Sequence, residues 1–532
     1  MKLTKETEAA LALAYRSFMY REEEFLPLIQ DIWDFVMPER QIVRRSGKNA
    51  NDFYDNIYDS TAVHGAESLA NDMVSGLTPP WVPFFMLEPG PLVKGQKRDQ
   101  LRAALEPVNK LLFMYINMSN FTQEIQPSYL DALVGTGCVT IEPHVSGKGV
   151  QFKNIPLNEI MVDESVDGQL DRVYRYYDMA ARDILALYED ECPELVADKD
   201  LYRQMKDRPE DKHCVWAVTV PIEGTKKYRH IVALEKTRDK YVLRDVKLKR
   251  NPYIVFRWSK MPHTTMGRGP AMRAYPDVRL LNKILEHALR SAALNAAGVF
   301  TAVDDGVFNP YSVKLEPGAI LPVMSNNEQN PAMRRLEVGG DLNISQFAIQ
   351  DLRSGIKKAF HADRFGPVEG PKMTATEVLH RAKIIAQELG ATYGRFQTEL
   401  LIPLIKKLVD ILAEQGLIPK NLNIGDQFID VVFISQLAQA QRLQEVDNLM
   451  QFIAFGAQAA QFDPAAGQVI DHQQALRLVA EQLQVTPRVL RTTEEVEQRM
   501  ADAQEAAMAM GEAAMGGMNG EAAGAGQSVA MA

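Results

Sequence analysis

The 532-residue sequence has little cysteine and no long apolar run. Its three cysteines, Cys138, Cys192 and Cys214, are odd in number and far apart. They predict neither a disulfide framework nor a zinc knuckle, and they favour a reducing compartment. Because no run of about 18 apolar residues occurs, no transmembrane helix is expected. The first residues are mixed in charge and lack the apolar core of a secretory leader, so we expect synthesis in the cytosol.

Motifs of catalysis are also lacking. The phosphate loop GxxxxGK[ST] is absent, because the two Gly-Lys pairs are followed by Asn49 and Gly149 instead of a hydroxyl residue. No HExxH, GxSxG or kinase signature occurs. The nine histidines are scattered, and the consecutive acids Glu22 to Glu24 would point in three directions on a helix. We therefore predict no catalytic residue, no cofactor, no metal site and no enzyme.

The charge is acidic, with 59 Lys and Arg against 69 Asp and Glu and a formal net charge of −10. Tight binding to phosphates comes from cations that displace counterions, so the charge argues against a tight DNA binder. An acidic surface is compatible with DNA that passes the protein without binding to it, because like charges repel. The length predicts two or more domains, and a hydrophobic fraction of 46% allows a large core.

Hydrophobic spacing predicts an α+β chain that is mainly helical. In the first half, helical patterns cover residues 5–37, 61–77, 97–118 and 122–135. Runs rich in Val, Ile, Tyr and Phe, separated by short polar turns, predict antiparallel strands within 138–177 and 212–258.

The second half is predicted to be helix, insert, helix, loop and long helix. The segments are a helix at 270–298, a Pro- and Gly-rich stretch at 299–340, a helix at 343–364, a short loop, and a long helix from 374 to about 415. We expect the long helix to bend at Pro403 and to end at Gly416. The chain then continues as Gln- and Ala-rich helix, and from about residue 500 its Ala, Met and Gly content predicts disorder.

Three groups of short motifs occur in one order along the chain. They are YDSTA at 58–62 with AESLA at 66–70 and GLTPPW at 76–81; GRGPA at 267–271 with LLN at 280–282; and MTATEV at 373–378 with ELLIPL at 399–404, FIS at 433–435 and LA at 437–438. Over about residues 10–445 this order and spacing resemble the portal, or head-to-tail connecting, protein of short-tailed bacteriophages (podoviruses).

The resemblance implies a structural subunit of a ring of about twelve copies at one capsid vertex, which connects head to tail and through which DNA is packaged and later ejected. The implied portal fold has these parts: wing at 1–265, first stem helix at 266–298, clip at 299–342, second stem helix at 343–363, tunnel loop at 364–373, long helix and rest of the wing at 374–440, crown at 441–499, and a disordered tail at 500–532.

The resemblance also implies partners and site residues. The partners are other copies of the chain, the packaging terminase, capsid and scaffolding proteins, tail or adaptor proteins, and double-stranded DNA bound without sequence preference. The implied location is the virion, at the portal vertex, and the host cytoplasm during assembly. The implied DNA-channel loop contains Arg364, Phe365, Gly366, Glu369, Gly370 and Lys372. Stem helix packing is expected from Leu281, Ile284, Leu285 and Ala288.

Two other classes of protein remain open on the residues alone. A non-viral scaffold that forms a homo-oligomer has the same bulk properties. A nuclease whose acids are brought together only by folding would escape a motif search, whereas an ATPase is disfavoured by the missing phosphate loop. Without the resemblance, the helix at 270–298 is an ordinary amphipathic helix and the loop after residue 363 is a plain connection.

Overall fold

The computed structural model describes residues 5–40, 57–93, 95–144, 147–165, 168–225, 227–235, 240–262, 264–297, 299–302, 333–336, 342–362, 390–419 and 429–433, with short stretches between 446 and 499. The chain divides into two compact units. The first comprises residues 1–82, 112–381 and 388–420, and the second comprises 83–111, 382–387 and 421–532. Within the described ranges, no helix is both long and apolar enough to cross a membrane.

The fold is mixed helix and strand. The helices are α1 (Lys5–Glu24), α2 (Leu26–Val36), α3 (Thr61–Leu77), α4 (Gln96–Met118), α5 (Phe121–Val134), α6 (Ala181–Tyr188), α7 (Pro193–Ala197), α8 (Lys199–Asp207), α9 (Pro270–Ala297), α10 (Leu342–Ala359), α11 (Gly390–Phe396) and α12 (Ile402–Glu414), with a π-helical turn at Gln397–Leu401. The strands are β1 (Phe85–Pro89), β2 (Thr136–Pro143), β3 (Val150–Asn154), β4 (Ile160–Glu164), β5 (Leu170–Ala180), β6 (Lys212–Pro221), β7 (Tyr228–Glu235), β8 (Lys240–Leu248), β9 (Tyr253–Arg257), β10 (Val299–Ala302), β11 (Met333–Leu336) and β12 (Ile429–Phe433).

Two predicted helices have different bounds in the structure. The predicted helix at 5–37 is two helices, α1 and α2, because Pro27 in the first turn of α2 has no backbone N–H to donate to the preceding turn. The predicted helix at 343–364 ends at Ala359, since His361 adopts a left-handed φ of 54° that cannot continue a right-handed helix. At the other long helix, a π-helical turn precedes Pro403, and Gly416, with φ 73°, follows its end.

The core of the first unit is a five-stranded antiparallel sheet in the order β4-β5-β6-β7-β8. Val215 and Ala217 of β6 face the apolar side of α6–α8. Trp216, which points to the other face, packs edge-on against Phe18 of α1 at a ring distance of 5.2 Å. Helices therefore pack on both faces, and each large side chain buried there stabilises the fold by roughly 1.5–3 kcal/mol.

A three-stranded sheet in the order β3-β2-β9 continues the first unit and leads into α9. The chain in front of α9 passes so close to the end of α5 that a Cβ at Gly269 would overlap the carbonyl oxygen of Leu133. Two backbone hydrogen bonds join the segment in front of α9 to the end of α5. Gly269 N donates to Val134 O at 2.9 Å, and Trp258 N donates to Gly135 O at 2.9 Å. The glycines of the GRGPA motif are therefore required by a backbone crossing.

The second unit contains an antiparallel pair of β1 and β12, with Phe85 opposite Phe433. Asn109 of α4 holds β1 in place, because its side chain accepts from Leu87 N at 2.8 Å and donates to Leu87 O at 3.1 Å. Strand β1 was not predicted from the sequence.

Candidate functional site: a helical hairpin and its anchor

The helices α9 and α10 pack on each other and extend into one ribbon. Strand β10 begins two residues after α9 ends, and β11 lies shortly before α10. The two strands pair antiparallel, from Val299 opposite Leu336 to Ala302 opposite Met333. Helix, strand, strand and helix thus form a hairpin, which we call the α9–α10 hairpin.

One side of α9 carries the packing residues predicted from the sequence. Leu281 is buried at 1% exposure, and Ile284, Leu285 and Ala288 are half-buried. Their spacing of three and four residues puts them on one face of the helix, along with the buried Val278. This is the face that an α9–α10 contact can cover.

The opposite side of α9 is a charged stripe at spacings of four, three and four residues. Its members are Arg279, Lys283, Glu286 and Arg290. Glu286 accepts from Lys283 at 2.9 Å and from Arg290 at 2.7 Å, and both cations are well exposed. Such exposed pairs contribute little to stability, so the stripe is a solvated surface with more positive than negative charge.

Large apolar side chains also lie uncovered on the hairpin. Leu280 and Leu289 of α9 are 52% and 55% exposed, and Phe347 of α10 is 77% exposed. Leu280 and Leu289 are nine residues apart, which at about 3.6 residues per turn places them half a turn apart on the helix. The two leucines therefore flank the buried face of α9 on its two sides.

The middle of α9 is fixed by Asn282, which is buried. Its side-chain oxygen accepts hydrogen bonds from Tyr58 N at 2.8 Å and Asp59 N at 3.2 Å, and its amide nitrogen donates to Val278 O at 2.9 Å. The YDSTA and LLN motifs, more than 200 residues apart, thus meet in one contact. We call the cluster of Asp59, Asn282 and Arg353 the hairpin anchor.

The carboxylate of Asp59 joins the anchor to α10 and to the start of α3. Arg353 of α10 donates to it from Nε at 2.8 Å and from Nη2 at 2.7 Å, and Thr61 N donates at 2.9 Å. Burial alone would raise the pKa of Asp59, but the hydrogen bonds from Thr61 and the Arg353 guanidinium hold it below its ordinary value. Asp59 is therefore an anion at neutral pH that binds three elements together.

At the end of α10, Phe360 packs against α3. Phe360 is fully buried, and a Cβ added to Gly65 would lie 3.2 Å from its ring. This position of α3 therefore has little room for a larger side chain. The predicted DNA-channel loop follows a few residues later. Its residues Arg364, Phe365, Gly366, Glu369, Gly370 and Lys372 lie outside the described part of the chain, as do most of the predicted clip, the first part of the long helix, most of the crown, and the tail.

The ELLIPL motif is held by a buried cation, Arg257 of β9, which is 2% exposed. Its guanidinium donates to Glu399 in the π-helical turn at 2.7 Å, and its backbone N–H donates to the same carboxylate at 2.8 Å. Glu164 lies 3.5 Å away. Buried charges that are paired and hydrogen-bonded in this way fix the turn against the three-stranded sheet.

Sequence reasoning missed both arginines. Arg257 ends the strand pattern YIVFR and Arg353 lies on a helix with other cations, so neither stands out by residue type. Asn282 offered a signal, because it is a polar residue between the apolar Leu281 and Leu285 on the buried side of α9. Among the described residues, no group of three or more His, Cys, Asp or Glu could hold a metal ion.

A family model described as "Bacteriophage head to tail connecting protein" matches residues 8–490. A "Probable portal protein" of Bordetella phage BPP-1 is 23% identical over 95% of this chain and 93% of its own length. The "Portal protein" of Salmonella phage epsilon15 is 26% identical over 92% of this chain and 90% of its own length. A chain of the "Virion of native gene transfer agent (GTA) particle" is similar over 85% of this chain and 92% of its own, with 10% identity and a TM-score of 0.34, which is too low to establish a shared fold.

The α9–α10 hairpin is part of a mixed helix and strand fold. The chain belongs to the bacteriophage head to tail connecting protein family. The resemblance drawn from the three groups of motifs is thereby confirmed. Membership makes the protein a structural component of the phage particle that connects head and tail, not an enzyme, and the non-viral scaffold is excluded.

Proposed function

We propose that the protein is a portal subunit that forms a ring of about twelve copies at one capsid vertex, through which DNA enters and leaves the head. The main support for a ring is that Leu280 and Leu289 are exposed on two different sides of α9. In a closed ring, each copy contacts its two neighbours through two different surfaces. Apolar side chains that one copy leaves in water supply such surfaces.

The α9–α10 hairpin is the proposed stem, in which 266–298 and 343–363 are the two stem helices and 299–342 is the clip. Helix α9 has 28 residues, and at about 1.5 Å per residue it is about 42 Å long, so a ring of such helices can line a channel. The solvated stripe of Arg279, Lys283, Glu286 and Arg290 suits a wall that DNA passes, because salt screens exposed charges and weakens their attraction for phosphate.

The remaining parts are assigned by the same proposal. The wing is 1–265 with 374–440, the tunnel loop is 364–373, and the crown is 441–499. The proposed partners are the packaging terminase, capsid and scaffolding proteins, tail or adaptor proteins, and double-stranded DNA without sequence preference. The subunit is in the host cytoplasm during assembly and at the portal vertex afterwards.

Size-exclusion chromatography with light scattering tests the ring. We expect a mass near twelve times 59.6 kDa without nucleotide or metal. Negative-stain images should show a ring with a central hole. A stable monomer at micromolar concentration contradicts the proposal. Shortening the loop at 366–371 should leave the ring intact, since changes of loop length cost little, but it should impair packaging or retention of DNA.

A further inference from the structure

A cavity of about 1080 Å³ opens in the first unit beside the last two strands of the five-stranded sheet. Its walls come from β2, β7, β8 and α12, and include His230, Arg244, Lys247 and Lys407. None of these residues belongs to the hairpin or to its anchor. The helices α6–α8 pack on the half of the sheet face around Val215 and Leu234, so the half around His230 is left for the cavity. A cavity of this size can hold a small ligand.

Positive charge dominates the walls. Five Lys and Arg side chains line the cavity against three carboxylates. Two of the carboxylates are neutralised within the lining, since Glu414 pairs with Lys249 at 2.8 Å and Asp410 pairs with Arg250. In a chain with a net charge of −10, this local excess of cations attracts anions to one place.

The ammonium group of Lys407 makes two hydrogen bonds within the described part of the chain. Its Nζ donates to the backbone oxygens of Asn251 at 2.9 Å and Pro252 at 2.6 Å. An ammonium has three N–H donors, so its charged form needs one more acceptor. No carboxylate in the described part of the chain lies within ion-pair distance of Lys407. An anion in the cavity would supply the missing acceptor and the missing counter-charge.

Lys407 changes its protonation state near neutral pH. Burial lowers the pKa of Lys407 to about 7, an effect that Glu142 and Cys138 of β2 oppose and Arg250 reinforces. Burial likewise lowers the pKa of His230 to about 4, helped by Arg244 and Lys407, so its ring is neutral at pH 7. The other charged groups facing the cavity are Arg244 and Lys247 of β8, Lys249, Asp410 and Glu414.

We propose that this cavity binds an oxyanion of the phosphate type, which accepts the third hydrogen bond of the Lys407 ammonium. Lys247 adds positive charge to the same walls, and so does Arg244, although Arg244 also pairs with Glu191 at 3.2 Å. The phosphate group comes either from free phosphate or from a phosphodiester of DNA. Binding is coupled to proton uptake, because the anion favours the charged amine. The site is independent of ring assembly, so loss of one leaves the other measurable.

Isothermal titration of sulfate into the full-length protein at constant ionic strength tests the site. Sulfate resembles phosphate and keeps its charge between pH 6 and pH 8, so a change in affinity reports the protein alone. We expect binding about ten-fold weaker at pH 8 than at pH 6, because the charged fraction of an amine with a pKa near 7 falls about that much. Lys407→Met should abolish binding, whereas Lys406→Met should not, since Lys406 does not line this cavity and borders only a neighbouring hollow that Lys407 also lines.

A second variant keeps the test decisive if Lys407→Met does not fold. Glu142→Gln removes a carboxylate that raises the pKa of Lys407, so it should move the loss of sulfate affinity to a lower pH. Inorganic phosphate and a short DNA duplex are then compared as competitors. Displacement of sulfate by phosphate alone identifies the free ion, and displacement by the duplex as well identifies DNA. The proposal fails if no saturable heat appears at tens of millimolar sulfate, if Lys407→Met binds like the unmodified protein, or if Glu142→Gln leaves the pH dependence of sulfate binding unchanged.

Discussion

Asp59 and Arg353 form the ion pair that ties α10 to the segment in front of α3, with Arg353 Nη2 2.7 Å from Asp59 Oδ2. The two side chains differ in exposure, because Asp59 is 4% exposed and Arg353 is 45% exposed. A buried carboxylate depends on its partners, whereas an exposed guanidinium can be hydrated. The anchor is therefore sensitive to any change that leaves Asp59 without its cation.

The first prediction is that Arg353→Met destabilises the protein by about 1–2 kcal/mol, because Asp59 remains buried with fewer donors. The cost stays below that of breaking a fully buried pair, since solvent screens Arg353. Urea unfolding at pH 7 measures it. Arg290→Met is the matched control, as it removes an exposed pair on α9 and should cause no measurable change. Equal stability of the two variants would show that the ion pair of Arg353 with Asp59 contributes nothing to stability.

The second prediction compares a glycine that is packed against backbone with a glycine that has open space around it. Gly269→Ala should destabilise the protein by about 3 kcal/mol or more, because its Cβ overlaps the backbone oxygen of Leu133. Gly394→Ala in α11 meets open space, and it should stabilise by up to about 1 kcal/mol, since alanine favours helix and restricts the unfolded chain. Parallel thermal unfolding compares them. A tolerated Gly269→Ala would mean that the backbone crossing can relax.

Local pattern predicted much of the fold. The helix at 61–77 has the predicted bounds, and the strand at 240–248 lies within the predicted strand region at 212–258, because apolar spacing and turn residues are local features of the sequence. The contacts that make the anchor are not local. Asp59 and Arg353 are 294 residues apart, so no window of sequence pairs them. The site at Lys407 could not be predicted from the sequence for the same reason, because the pKa of Lys407 depends on burial that only the folded chain creates.

The third prediction is a pH dependence of stability. The folded pKa of Lys407 is lowered to about 7, while an unfolded lysine has a pKa near 10.4. Between these values the unfolded chain binds the extra proton, so this group makes stability rise as pH increases from about 7 to about 10 and has no further effect above. Lys407→Met should lack that rise. Urea unfolding of both proteins at pH 6.5, 8 and 9.5 gives the difference, and Lys406→Met should follow the unmodified protein.

The fourth prediction separates folding from assembly with one substitution at two depths on α9. Leu281 is 1% exposed and Leu289 is 55% exposed. An aspartate in place of Leu281 puts an unpaired charge into the core, which costs several kcal/mol, a large part of the usual stability margin. We expect Leu281→Asp to be unfolded or aggregated, as judged by circular dichroism and thermal unfolding.

Leu289→Asp should instead leave the subunit folded, because a charge on an exposed position of a helix stays hydrated. If Leu289 lies at the contact between neighbouring copies, the same charge is desolvated only when the ring closes, so it opposes association and not folding. Light scattering should then show a smaller species with an unchanged circular dichroism spectrum. Arg290→Met, one residue further on the solvated stripe, should still form the ring. Rings of Leu289→Asp with the mass and stability of the unmodified protein would place the contact between copies elsewhere on the surface.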